Sequence, residues 1–180
     1  MVYILLGTGF EEVEALAPLD LMRRAGIDVM TVGINGSTVY GGHSIGIAAD
    51  ISIDKMDLTA LDMIVLPGGL GGVASVRACP AAMDALKFAW DNGKFVAAIC
   101  AGPTVLADLG ITDGKNATCY PGCESGMGSA NMIPDAACVR DGNLITGTSA
   151  GCAVKFGLML VEALKGEAAA QAIEQQIVIR

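Results

Sequence analysis

Cys100 stands between the apolar run Phe95–Ile99 and Ala101-Gly102-Pro103, a passage that reads as a buried strand turning directly into a helix. A cysteine on such a turn projects its sulfur beyond the sheet, and the amino end of the following helix stabilises a thiolate and lowers its pKa. Gly102 allows close approach, and Pro103 gives up no helical hydrogen bond, because its missing donor would be unpaired in a first turn anyway. A second glycine-bearing edge, Pro67-Gly68-Gly69, follows the apolar segment Asp62–Leu66. Ligands of open α/β sheets bind beyond the carboxyl ends of the strands, so the two turns should meet. The backbone amides of Gly69 and Ala101 would then hold an oxyanion formed by attack of Cys100 on a carbonyl. Away from such a setting a free cysteine is usually a small buried hydrophobe, which is how Cys79, Cys138 and Cys152 read.

The elements around these turns alternate short β-rich runs with longer helical patterns, the rhythm of an α/β fold with a mostly parallel sheet flanked by helices. Val2–Leu6 is a strand, and Glu11–Ala25 a helix closed by Gly26, with acidic residues in its first turn and Pro18 kinking it or lying early in it. Ile27–Ile34 is a second strand. Asn35-Gly36 is a hairpin signal leading to Thr38–Tyr40 and Ser44–Ala48, a small antiparallel excursion. A glycine-rich loop follows Leu66, Pro80–Asn92 is a helix closed by Gly93, and a further helix runs from Pro103 through Leu109. Beyond it lie the segment Asn116–Cys119, a glycine-rich loop from Gly122 to Gly128, a hairpin about Asp141-Gly142 and a helix from Gly151 to Leu164. Nothing reads as a linker or a repeat, so residues 1–180 are expected to form a single domain.

Composition narrows the partners. Hydrophobic residues make up 53% of the chain, but the apolar runs Met63–Leu66 and Val96–Ala101 stop far short of the roughly 18 residues that span a bilayer. The opening Met1–Leu6 has no basic leader and runs into Gly7, Glu11 and Glu12, unlike a secretion signal. The six cysteines therefore suggest a reducing cytoplasm with free thiols. A net charge of −8, eleven scattered basic residues and 4% aromatics argue against nucleic acid or an anionic membrane as partner. Cys119 and Cys123 have a metal-compatible spacing, yet no second pair completes a tetrahedral set, so no metal is expected.

Gly9-Phe10-Glu11-Glu12-Val13-Glu14, Val65-Leu66-Pro67-Gly68-Gly69 and Ala97-Ala98-Ile99-Cys100-Ala101-Gly102-Pro103 together resemble the ThiJ/PfpI superfamily, in the branch of the Parkinsonism-associated deglycase. Asp20-Leu21-Met22-Arg23-Arg24-Ala25-Gly26 and Val161-Glu162-Ala163-Leu164 fit the same branch in order and spacing. The resemblance implies a flavodoxin-like three-layer sandwich, a homodimer, and Cys100 as the reactive cysteine. It also implies that Glu14 is kept protonated and donates a hydrogen bond to the sulfur; burial beside a thiolate raises a carboxyl pKa and makes it a donor. Two departures stand out. Where many relatives carry a histidine in a Thr-His-Pro context, this chain has Cys119-Tyr120-Pro121, so no imidazole base stands there and Tyr120 is left to orient a substrate or donate to an oxyanion. Gly147-Thr148-Ser149-Ala150-Gly151 stands where the branch has an arginine and a proline. The sole histidine, His43, falls in a region that the resemblance brings from the dimer partner to the cysteine pocket, and Arg24 is a second candidate for that crossing.

Two functions follow. In one, Cys100 attacks a small 2-oxoaldehyde, Glu14 shuttles a proton, and the hemithioacetal rearranges to a hydroxy acid with no cofactor, as the family's glyoxalase and deglycase activities imply. In the other, Cys100 is oxidised to a sulfinate held by the same donors, and the protein is a stress sensor or chaperone-like protein. An amidotransferase-like hydrolase would need a histidine late in the chain, and none follows His43. Neither Gly7-Thr8-Gly9 nor Gly69-Leu70-Gly71-Gly72 completes a nucleotide-binding fingerprint.

Overall fold

The computed structural model describes residues 1–179. Eleven strands and six α-helices are assigned among them. They are β1 (Val2–Leu6), α1 (Glu12–Arg24), β2 (Val29–Gly33), β3 (Thr38–Tyr40), β4 (Gly46–Ala48), β5 (Ile51–Ser52), β6 (Met63–Leu66), α2 (Leu70–Arg77), α3 (Pro80–Asp91), β7 (Phe95–Ile99), α4 (Pro103–Asp108), β8 (Asn116–Ala117), β9 (Asn131–Met132), β10 (Cys138–Asp141), β11 (Leu144–Gly147), α5 (Ala153–Lys165) and α6 (Glu167–Gln176). Seven strands form one sheet in the order β10-β11-β7-β6-β1-β2-β5, parallel throughout except for β10. The central strands are apolar at every position because both faces are covered. Val2, Ile4 and Leu6 of β1 point to one core with Leu19 and Met22 of α1 and Phe156 and Leu160 of α5. Tyr3 and Leu5 point to the other, with Val76 of α2, Leu86 of α3 and Val105 of α4. This alternation is the period of two that a pleated strand imposes. The result is the expected α/β three-layer sandwich.

The chain leaves β1 toward β2 on one side and later returns to place β6 on the other. Strand order therefore reverses at β1, and a crevice opens beyond the carboxyl ends of β1, β6 and β7, where an open α/β sheet binds ligands. Helix α1 descends from that crevice with Glu12 and Glu14 in its first turn and Arg23 and Arg24 in its last, matching the helix dipole at both ends. Pro18 lies inside α1 and has no N–H for the carbonyl of Glu14. Gly157 of α5 lets the two helices close up, since a Cβ there would lie 2.9 Å from Pro18 Cα.

Three local readings change. Asn35-Gly36 is not the turn of a hairpin, because β2 pairs with β1 and β5. Asn35 instead accepts the N–H of Thr8 at 3.0 Å, and the antiparallel excursion is a separate β3–β4 ribbon turning at residues 41–45. The glycine-rich loop after Gly69 is helix α2. Gly71 and Gly72 are there for space: a Cβ on Gly72 would lie 2.7 Å from Phe10 Cα, and one on Gly71 3.1 Å from Gly9 Cα. The third is α6, which follows Gly166 and adds a short amphipathic helix with Ala170 and Ile173 buried. The hairpin about Asp141-Gly142 is present as β10–β11, and no helix among the described residues is long and apolar enough to cross a membrane.

Candidate active site

Cys100 is the first residue beyond β7, with φ at +64°, in the left-handed region that non-glycine residues rarely occupy. Its backbone is fixed on both sides: its N–H donates to Gly147 O at 2.9 Å, and its carbonyl accepts from Tyr120 N at 2.8 Å. Gly102 makes the tight turn possible, since a Cβ there would lie 2.8 Å from Leu66 O and 2.9 Å from Ile99 O. The strained residue is thus held by two neighbouring segments and aims its side chain into the crevice.

Glu14, in the first turn of α1, is fully buried. Its Oε2 accepts the N–H of Gly68 at 2.8 Å. Its Oε1 makes no well-formed hydrogen bond, while the Cys100 thiol adjoins the same carboxyl as its side-chain hydrogen-bonding neighbour. Gly68 is the spacer between the two. A Cβ on it would lie 2.7 Å from both Cys100 Cβ and Glu14 Oε2. The backbone N–H groups of Ala101 and Gly69 adjoin the Cys100 sulfur and favour its charged form. Gly69 has φ at +84° and also caps the start of α2. The two turns do meet, and both amides converge at the atom whose charge they would hold.

Burial raises Glu14 to about 7, outweighing the Gly68 amide and the Cys100 thiol, which pull it down; Glu11 and Cys152 add repulsion. Burial also pushes the Cys100 thiol up, to about 12, and the charge of ionised Glu14 adds to the shift while the Ala101 and Gly69 amides oppose it. This departs from the lowered thiol pKa expected at a helix amino end. The cause is local: the thiol is half-buried beside an acid, and α4 has only six residues. The two groups titrate as a pair. Thiolate is favoured only while Glu14 keeps a proton, since a neutral carboxyl removes the repulsion and becomes a donor.

The crevice above the sulfur has a volume of about 320 Å³ and is lined by Glu11, Gly69, Leu70, Cys100, Ala101, Tyr120 and Cys123. Cys100, Gly69, Ala101 and Tyr120 are therefore gathered at one pocket, with Glu14 sealed beneath it. Tyr120 is half-exposed at its rim. Its segment is anchored by Thr118, whose N–H donates to Thr146 Oγ1 at 2.9 Å and whose hydroxyl pairs with Thr148 at 3.1 Å. Glu11 and Leu70 are additions that motif reading did not single out, whereas Cys123 belongs to the loop expected near the mouth of the site. Glu11 lies inside the quoted Glu-Glu motif, whereas nothing in the local sequence marks Leu70 as lining.

His43 and Arg24 do not line this pocket. His43 is held by its own chain: its N–H donates to Glu12 Oε1 at 2.8 Å, and its Nδ1 lies 2.9 Å from Glu12 Oε2 and 3.7 Å from Glu11 Oε1. The Glu12 hydrogen bond raises the His43 pKa, and the charges of Glu11 and Glu12 add to it. For Glu12, burial pushes upward, but the His43 side chain and nearby backbone amides outweigh it, leaving the carboxyl below its ordinary value. Arg24 donates to Asp20 at 2.7 Å on the far turn of α1. Among the described residues, one His/Cys/Asp/Glu cluster has metal-ligand spacing, Glu11, Glu12 and His43; Cys119 and Cys123 are not part of it.

Comparison with known proteins fits this geometry. The sequence profile described as "DJ-1/PfpI family" matches residues 1–163. Protein dj-1beta of Drosophila melanogaster is 35% identical over 98% of this chain and 95% of its own length. A protein named as a deglycase from Pyrococcus horikoshii is 32% identical over 81% of this chain and 87% of its own. The crystal structure of Drosophila DJ-1beta superposes with a TM-score of 0.94, covering 99% of this chain and 97% of that one at 35% identity. In sequence, in fold and in the arrangement of its elements, the chain belongs to the DJ-1/PfpI family.

Proposed function

We propose that this protein is a cofactor-independent enzyme acting on small reactive carbonyls through Cys100 and Glu14. The observation that carries the reading is the buried Glu14 carboxyl, with one oxygen lacking a well-formed hydrogen bond, beside the Cys100 thiol. The sulfur adds to the aldehyde carbon of a 2-oxoaldehyde to give a hemithioacetal, its oxyanion facing the Gly69 and Ala101 amides. Glu14 first gives its proton to that oxyanion. As a carboxylate it then takes the proton from the aldehyde carbon and returns it to the neighbouring one, while the hydroxyl proton passes from the first oxygen to the second. Water then hydrolyses the resulting thioester to a 2-hydroxy acid and frees the thiol. The 320 Å³ crevice suits a substrate of a few carbons or the modified tip of a side chain. Tyr120 at the rim takes the positioning role that relatives with a Thr-His-Pro sequence give to histidine.

The same sulfur environment supports a second reading, an oxidation sensor in which the two amides and a protonated Glu14 hold sulfinate oxygens. Turnover decides between them. Methylglyoxal with no added cofactor should be consumed by the native protein, not at all by Cys100→Ser, and about 10²–10⁴-fold more slowly by Glu14→Gln. No turnover by the native protein, with stable single-site sulfinate formation under dilute peroxide, would replace the enzyme with the sensor. We further infer a cytoplasmic homodimer, in keeping with six free thiols and with Tyr40 and Ile45 exposed on the β3–β4 ribbon.

A further inference from the structure

The run Glu11-Glu12-Val13-Glu14 places three acids at the start of α1, and two of them are already committed. Glu14 accepts the N–H of Gly68 at 2.8 Å beneath the sulfur. Glu12 accepts the N–H of His43 at 2.8 Å and faces its Nδ1 at 2.9 Å. Glu11 is the one left over. It stands at the N-cap of α1, yet its side chain caps nothing; its backbone N–H is held by Gly68 O at 3.0 Å, which fixes the residue without using the carboxyl. That side chain, 23% exposed, forms part of the wall of the crevice above Cys100. Among the described residues, no lysine, arginine or histidine lines the crevice. The ring of His43 reaches no nearer to Glu11 than 3.7 Å, and its closer contact is with Glu12. The mouth is apolar: Leu70, in the first turn of α2, is 81% exposed, and Tyr120 stands half-exposed at the rim. An acid in the wall with an exposed leucine and an aromatic ring at the mouth suits an alkyl chain that ends in a cation. The chain is covered by the apolar groups, and the charge is drawn to the carboxyl and to the ring.

We propose that Glu11 is the specificity-determining residue of this crevice, admitting compounds that carry a positive group to Cys100 and turning away those that carry a carboxylate or a phosphate. As a statement about substrates, 2-oxoaldehydes with a cationic tail in preference to anionic ones, it rests on the carbonyl-enzyme reading. As a statement about the pocket it does not. An anion entering the crevice approaches Glu11, then a sulfur that works as a thiolate with Glu14 beneath it, and meets no cation on the way. A cation meets only attraction. Protein walls around a small cavity screen such a charge less than open solvent does, so one carboxylate in the wall counts for more than the same group on the surface. Glu11 touches what enters and not the reacting bond, which separates its role from that of Glu14.

The full-length protein is treated with methanethiosulfonates of different charge, the trimethylammonium-ethyl, the sulfonatoethyl and the neutral methyl reagent, and modification is followed on the Cys100 peptide by mass spectrometry. The cationic-to-anionic rate ratio is divided by the same ratio for 2-mercaptoethanol, so that the intrinsic reactivity of the sulfur cancels. In the native protein the quotient should be about tenfold or more. Glu11→Gln, which keeps the volume and costs the helix no side-chain cap, should lower it about threefold or more. Asp84→Asn makes the same change in net charge on an exposed position of α3 outside the crevice, and should leave the quotient within about 1.5-fold of native. These reagents need no carbonyl chemistry, so absence of methylglyoxal turnover removes the substrate reading and leaves the charge selection to be judged by itself. A quotient near one, or one favouring the anion, as a cation supplied by a second copy of the chain would produce, overturns the proposal. So does a quotient that Glu11→Gln leaves unchanged, one that both substitutions lower equally, or a Cys100 that even the neutral reagent does not reach.

Discussion

Glutamine at position 14 keeps a hydrogen-bond donor beside Cys100 and removes the carboxyl proton, so it separates two jobs that the native side chain does together. In the native pair, thiolate should rise with pH in two steps, one near the Glu14 value of about 7 and one near the Cys100 value of about 12. Glu14→Gln should show a single step below the upper one, read by alkylation rate against pH. The same carboxyl makes the fold sensitive to pH. Native Glu14 holds its proton to about 7, whereas the unfolded chain releases it near 4.5, so between those values the native state binds more protons and stability falls as pH rises. The loss should be on the order of 3 kcal/mol, and Glu14→Gln should abolish it when denaturant midpoints at about pH 5 and about pH 8 are compared. Cys100 itself bears the cost of a positive φ. Both Cys100→Gly and Cys100→Ala should be unreactive, with the glycine variant about 1 kcal/mol more stable because it alone is at ease in that conformation. The cysteine and its turn were legible in the sequence, since Phe95–Ile99 followed by Ala-Gly-Pro can hardly pack otherwise. The direction of its titration was not, because it depends on a buried acid from a different element.

Among the elements, the two turns and the start of α1 that meet at the site are separated by glycines that act as spacers rather than hinges. Gly68→Ala should leave a folded protein in which Cys100 and Glu14 are pushed apart, since the new methyl would sit 2.7 Å from each. Activity should fall about 10²-fold, and the lower step of the alkylation profile should vanish with little change in the circular dichroism spectrum. Glycine also explains what the pattern of residues concealed. Gly71 and Gly72 look like loop because glycine is a poor helix former, yet α2 needs them to rest against Gly9 and Phe10. Asn35-Gly36 looks like a hairpin because its local signal is strong, but β2 is already paired on both sides. The strands β1, β6 and β7 gave no such trouble, because an apolar run bounded by glycine has few other places to go in a sheet covered on both faces.

For the molecule as a whole, the acidic balance and the β3–β4 ribbon frame what meets it. Tyr40 and Ile45 are apolar side chains more than half exposed on that ribbon. If the ribbon is the dimer contact, the double substitution Tyr40→Glu and Ile45→Glu should shift sedimentation from the mass of two chains to that of one. The Glu12–His43 tie would remain within each subunit. A native protein that sediments as a single chain at micromolar concentration would remove the dimer.

The holding of Cys100 from both sides also bears on how the protein is made. Its N–H is bound by Gly147, the last residue of β11, and its acid partner comes from residue 14, near the start of the chain. During synthesis, therefore, an emerging chain can contain the cysteine and the glutamate long before it contains the strand that fixes the turn. Until β11 is added beside β7, Cys100 is an ordinary thiol in an unfinished sheet. Its distinctive chemistry is in that sense a certificate of completed folding, acquired only when the chain through residue 147 has left the ribosome.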